Sequence, residues 1–133
     1  MQSEIKNKAR ARQIIDFKGI RLGEKEMPTD CDGLIKWHNQ AYVLFEIKYR
    51  NKDVPYGQKL AFVRMCDDFS RIHKPAVFII AEHDVDNPDN DIDAAKCLVR
   101  TFYFQGKWYR GNSLLKDLIE RFISFVNDKT IRR

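Results

Sequence analysis

The spacing of apolar residues changes along this chain and sorts it into elements. Ser3 to Ile15 is rich in Lys, Arg, Ala and Gln, which favour helix, and Ile5, Ala9, Ala11, Ile14 and Ile15 form a weak stripe along it. Ser3 is placed to cap this helix, and Glu4 falls in a first turn, where the helix dipole favours an acid. Phe17 to Leu22 reads as a short strand, and Met27-Pro28-Thr29-Asp30 breaks the chain after it. Gly33 to Trp37 is a second short strand, His38-Asn39-Gln40 a turn, and Ala41 to Lys48 a strong strand. Tyr42, Val43, Leu44, Phe45 and Ile47 are apolar on both faces of that strand, so it should be covered on both sides.

Gly57 to Ile72 changes to helical spacing, with Phe62, Cys66 and Phe69 recurring every three or four residues. Ala76 to Ala81 (AVFIIA) is a continuous apolar run, as expected of a strand buried on both faces. A helix between two such strands implies a crossover and hence a parallel pair. His83 to Asp93 is an acidic loop, expected to be solvated and to face away from any nucleic acid. Cys97 to Phe104 and Lys107 to Tyr109 suggest a hairpin around Gln105-Gly106, and Leu114 to Val126 is an amphipathic helix. The order is helix, three strands, helix, strand, hairpin, helix. This predicts an α/β fold (a mixed α+β sheet flanked by helices) in one domain spanning residues 1–133.

Composition narrows the classes. A net charge of +5 permits binding to a polyanion without demanding it. The cysteines are Cys31, Cys66 and Cys97, an odd number with no CxxC pair, which argues against a disulfide framework or a cysteine zinc site and for a reducing, cytoplasmic setting. His38, His73 and His83 are scattered, without zinc-ligand spacing. No apolar run approaches a membrane span, and the polar start is unlike a signal peptide.

The informative anomaly is Glu46 and Lys48, two charges in an otherwise apolar strand. Positions two apart share a face, so a carboxylate and an ammonium lie side by side on a sheet expected to be covered. Such charges are costly unless paired or bound to a metal. Asp32 opens the preceding strand, and the turn at His38-Asn39-Gln40 folds it back towards Glu46. Two adjacent carboxylates repel each other, and a hard divalent cation such as Mg²⁺ or Mn²⁺ relieves the repulsion.

Pro28-Thr29-Asp30-Cys31-Asp32-Gly33-Leu34-Ile35 followed by Phe45-Glu46-Ile47-Lys48 resembles the signature of the PD-(D/E)XK nuclease superfamily. Gly57-Gln58-Lys59-Leu60-Ala61-Phe62 is similar to the Gln-bearing helix of its RecB-like and VRR-NUC branches, and Holliday-junction resolvases share the fold. The resemblance spans roughly residues 3 to 81. It implies a restriction-endonuclease-like core of helix, three strands, helix and strand, with a C-terminal hairpin and helix added. It implies that Asp32 and Glu46 ligate the metal, with the Ile47 carbonyl and Glu4 as further ligand candidates. Lys48 would then assist the attacking water, and Gln58 would position water or phosphate. One departure is that Thr29, Asp30 and Cys31 separate the motif's proline from Asp32, so Asp30 competes for the ligand role.

Candidate backbone contacts are Lys6 and Arg10 on the first helix, Arg50 and Lys52 beyond the Glu46 strand, and Lys107, Trp108 and Arg110 in the hairpin. There Arg100, Tyr103 and Tyr109 extend the alternation of basic and aromatic groups. The expectation is a Mg²⁺-dependent nuclease acting on DNA, structure-selective or non-specific, because a domain this small offers little surface for sequence readout. A junction-cleaving enzyme would be expected to act as a homodimer. The rival readings are a non-catalytic nucleic-acid-binding module of the same fold and a protein-interaction or inhibitor domain.

Overall fold

The computed structural model describes residues 13–23 and 28–131. Backbone contacts divide the chain after Asp30.

In the first part, residues 13–23 contain a turn where a strand was expected over Phe17 to Leu22. The Asp16 carboxylate accepts from the Lys18 N–H at 2.9 Å, and the Ile20 N–H donates to the Phe17 carbonyl at 2.9 Å. Gln13 to Ile15 are also non-helical, and Ile14 and Leu22 are 93% and 81% exposed. Apolar content alone does not make a strand without a partner to complete its ladder. The expected helix over residues 3–12 lies outside the described residues.

The second part is a five-stranded mixed sheet. Its strands are β1 (Gly33–Trp37), β2 (Ala41–Tyr49), β3 (Ala76–His83), β4 (Leu98–Phe104) and β5 (Lys107–Arg110), in spatial order β1-β2-β3-β4-β5. Only β2 and β3 run parallel, joined by the helix α1 (Tyr56–Arg71), as the crossover pattern predicts. Two strands, not three, precede that helix among the described residues. The helix α2 (Leu115–Ile131) follows β5 and runs five residues beyond the expected end at Val126.

The two helices cover opposite faces. Ala41 and Val43 of β2, with Val77, Ile79 and Ala81 of β3, pack against Leu115, Leu118, Phe122 and Val126 of α2. The alternate positions Leu44, Phe78 and Ile80, with Tyr103, pack against Phe62 and Cys66 of α1. The period of two along each strand therefore feeds two cores, which is why β2 and β3 read as unbroken apolar runs. α1 ends at a Schellman motif. His73 adopts a positive φ of 62°, the His73 N–H donates to Ser70 O, and the Lys74 N–H donates to Phe69 O at 3.0 Å, with Pro75 next.

Turn chemistry fixes the register. His38 and Asn39 both take positive φ, as a tight hairpin turn requires, and pair Trp37 with Ala41. Gly33 then faces Phe45, whose ring lies where a Cβ would sit, 1.9 Å from the Phe45 Cζ. Gln105 and Gly106, both at positive φ, close the second hairpin in the same way. Between β3 and β4 the register shifts at Ile80/Ala81, which face Thr101 and Val99, so Arg100 is the extra residue of a bulge.

Candidate functional site

The hairpin register that pairs Gly33 with Phe45 carries Asp32 to the level of Glu46. There each strand supplies a main-chain donor to the other's carboxylate. The Asp32 N–H donates to Glu46 Oε2 at 2.7 Å, and the Ile47 N–H donates to Asp32 Oδ2 at 2.8 Å. The first turn of α1 adds a third bond, from Gln58 Nε2 to Glu46 Oε1 at 2.7 Å. Hydrogen bonds to a charged acceptor are stronger than neutral ones, so these donors offset part of the cost of burying the acid. Glu46 is 2% exposed and is the buried charged side chain of the sheet. Asp32 is exposed and Gln58 half-buried, so the pair opens to solvent on the Asp32 side.

These residues share the face covered by α1, at the carboxyl end of the parallel pair. In open α/β sheets that is where ligand sites form. α1 begins there without an acidic residue in its first turn and without a side-chain cap on its N-terminus. Its positive end is therefore left to the neighbouring carboxylates.

Lys48 is half-buried, two positions beyond Glu46 on the same face, and in register with Glu82 of β3. Glu82 was missed in the sequence because the apolar run ends at Ala81, whereas β3 continues to His83. Cys31 precedes Asp32, and its Sγ donates to the Gly33 carbonyl at 3.0 Å. Burial, reinforced by the charges of Glu46 and Asp32, pushes its thiol above the ordinary value. It is thereby held in the protonated form and is no nucleophile at neutral pH.

The Asp32, Glu46 and Gln58 side chains are thus brought together, with Ile47 in the same network through its N–H. Glu4, Lys6 and Arg10 lie outside the described residues. Arg50 is engaged by Asp86 at 2.8 Å, so the acidic loop turns onto a basic residue instead of standing apart from it. Lys52 is exposed, and its carbonyl accepts from Arg100 Nη2 at 2.6 Å.

The expected basic and aromatic surface of the second hairpin is divided. β5 is the edge strand farthest from β1, so Lys107, Trp108 and Arg110 are four strands away from Asp32 in the sheet order. Tyr103 is buried and donates to Asp67 Oδ1 at 2.7 Å, while Tyr109 stacks on Phe102. The bulge turns Arg100 towards the loop after β2, a change of phase that alternation along the sequence does not reveal. Trp108 stays 42% exposed, with Lys59 Nζ 5.4 Å from its ring centroid.

Among the described residues no group of three or more His, Cys, Asp and Glu side chains is arranged to hold a metal ion. The acidic pair is therefore the candidate cation site, and it supplies two side chains. Mg²⁺ is commonly held by one or two carboxylates, with water and phosphate completing its shell, and the pair fits that pattern.

No protein-family model, curated protein or solved structure was found to match this chain. Among the described residues no helix is long and apolar enough to cross a membrane.

Proposed function

We propose that this chain is a Mg²⁺- or Mn²⁺-dependent nuclease with a restriction-endonuclease-like core, cutting DNA in a structure-selective or non-specific way. The observation that carries the reading is the interlock of Asp32 with the buried Glu46. A purely structural role would be filled more cheaply by an apolar pair, because buried charge is a poor source of stability.

Asp32 and Glu46 would hold the cation, with the Ile47 carbonyl as a third ligand. When bound, the ion lowers the pKa of a water and stabilises the charge that develops on the phosphate. Gln58 fixes Glu46 from the helix and confines its carboxylate to one orientation. Lys48 orients the attacking water and offsets negative charge on the phosphate. No covalent enzyme intermediate is required.

A second reading has one observation in its favour. Among the described residues no third acidic side chain joins the pair in a metal-holding group, and with two carboxylates the same fold can bind nucleic acid without cutting it. Labelled single-stranded, duplex and four-way-junction DNA, incubated with Mg²⁺ or Mn²⁺, separates the two. The nuclease reading expects cleavage that EDTA stops and that both Glu46→Ala and Lys48→Ala abolish. Salt-sensitive binding without products on any substrate would establish the binding module instead.

A further inference from the structure

Neighbouring residues of a strand point to opposite faces, yet Tyr49 and Arg50 reach the same atom. The Tyr49 hydroxyl and Arg50 Nη2 both donate to Asp86 Oδ1, the latter at 2.8 Å. The guanidinium carbon of Arg50 lies 5.4 Å from the Tyr49 ring centroid. The convergence arises because Arg50 leaves the strand in the left-handed region, at φ 48°, with its N–H donating to the His83 carbonyl at 2.7 Å. Arginine seldom adopts that conformation, and a held outlier of this kind is a reason to look for a function.

The anion these two side chains hold comes from their own chain. Asp86 belongs to the loop after β3, which also carries Asp84, Asp89, Asp91 and Asp93. The Tyr49 hydroxyl first, and then Arg50, hold the Asp86 carboxyl below its ordinary range. Both partners of the ion pair remain exposed, at 55% and 67%. Exposed pairs contribute little, so a competing anion opens this one at small cost.

We propose that Tyr49 and Arg50 form a binding pair for a backbone phosphate of nucleic acid, and that Asp86 occupies it as an internal competitor. This rests on the reading that the ligand is a phosphodiester chain. A phosphate oxygen, like a carboxylate oxygen, accepts from a hydroxyl and a charged N–H together. The pair follows Lys48 directly in the chain and so lies at the same end of β2 as the carboxylates. Asp86 then acts as a threshold: a polyanion releases counterions on binding and displaces it, whereas an isolated anion gains less.

The test is nucleic-acid binding in EDTA, where cutting does not interfere, read by fluorescence anisotropy of labelled single-stranded and duplex oligonucleotides. Asp86→Ala is compared with Asp84→Ala, which removes the same charge from the same loop. Asp86→Ala should tighten binding by about fivefold more than Asp84→Ala, the equivalent of one exposed ion pair. That excess should vanish when Arg50→Ala is added and shrink with Tyr49→Phe. Equal effects of the two aspartate substitutions, or an excess that persists without Arg50, would overturn the competitor and leave the nucleic-acid reading standing. Absence of binding by every variant would overturn both.

Discussion

Glu46→Gln tests whether Glu46 is there for its charge or for its hydrogen bonds. In the native site, Glu46 accepts from the Asp32 N–H and from Gln58. Glutamine keeps the size, and its amide oxygen can still accept from the Asp32 N–H. Its NH2 then faces the NH2 of Gln58, a conflict that Gln58 resolves by turning its own amide over so that its oxygen accepts. Every hydrogen bond named is then remade, while the repulsion between Glu46 and Asp32 is gone. In EDTA the stability should therefore stay within about 1 kcal/mol of the native value in either direction. Glu46→Ala differs, because it strands the Asp32 N–H, at about 1–3 kcal/mol, and leaves a cavity besides.

Mg²⁺ should separate the native protein from Glu46→Gln. At a free concentration roughly ten times its dissociation constant, an ion that binds only the folded state adds about 1.4 kcal/mol. For a domain of this size that raises the melting temperature by about 5 °C. Native protein should show that rise and Glu46→Gln should not, and DNA cleavage by Glu46→Gln should fall by about 10²-fold or more. Thermal melting with and without Mg²⁺, beside the cleavage assay, measures all of this. A loss of more than about 2 kcal/mol in EDTA would make Glu46 structural. An equal Mg²⁺ shift in both proteins would place the cation elsewhere.

Lys48→Met keeps the apolar stem of a half-buried side chain and removes its charge, so cleavage should drop by about 10²-fold with urea stability unchanged. Gly33→Ala drives a Cβ into the Phe45 ring, 1.9 Å from Cζ, and should cost about 1–3 kcal/mol in urea unfolding, with weakened Mg²⁺ binding because Asp32 is the next residue. The Tyr103 phenol is pushed up to about 12, first by its hydrogen bond to Asp67 and then by burial. A phenol raised by folding stabilises the protein below its ordinary value of 10.0 and loses that contribution as pH climbs towards 12. Tyr103→Phe should therefore cost about 1 kcal/mol at neutral pH and flatten the fall in stability above pH 10, which urea melts at several alkaline pH values will resolve.

What the sequence made legible was local or periodic. Two charges in an apolar run mark one face of β2, because strand geometry leaves no other arrangement for positions two apart. The turn at His38 and Asn39 then fixes the partner of Glu46: with Trp37 opposite Ala41, counting back five residues on one strand and forward five on the other reaches Asp32 and Glu46. The crossover between β2 and β3 was legible for a similar reason, since helical spacing between two doubly buried strands has few other solutions. What failed was judged by composition alone. Phe17, Ile20 and Leu22 are apolar enough for a strand, but a strand needs a neighbour, and residues 17–20 spend their polar groups on a turn.

The contacts that the sequence did not reveal share a physical cause. A bulge shifts the phase of β4 by one residue and sends Arg100 to the Lys52 carbonyl, where an unbroken alternation would have kept it in line with the exposed residues of the hairpin. Asp86 meets Tyr49 and Arg50 across a separation of 36 or 37 residues, through a loop whose course no period encodes. Both contacts act on the chain just beyond Lys48, so they bear on how a substrate would be gripped, while Asp32 and Glu46 bear on what would be done to it. The proposed chemistry would sit on paired strands, where register follows from turn length, and the proposed grip on loops, where it does not. The variants at Asp86 and Arg50 therefore measure affinity and substrate preference independently of cleavage.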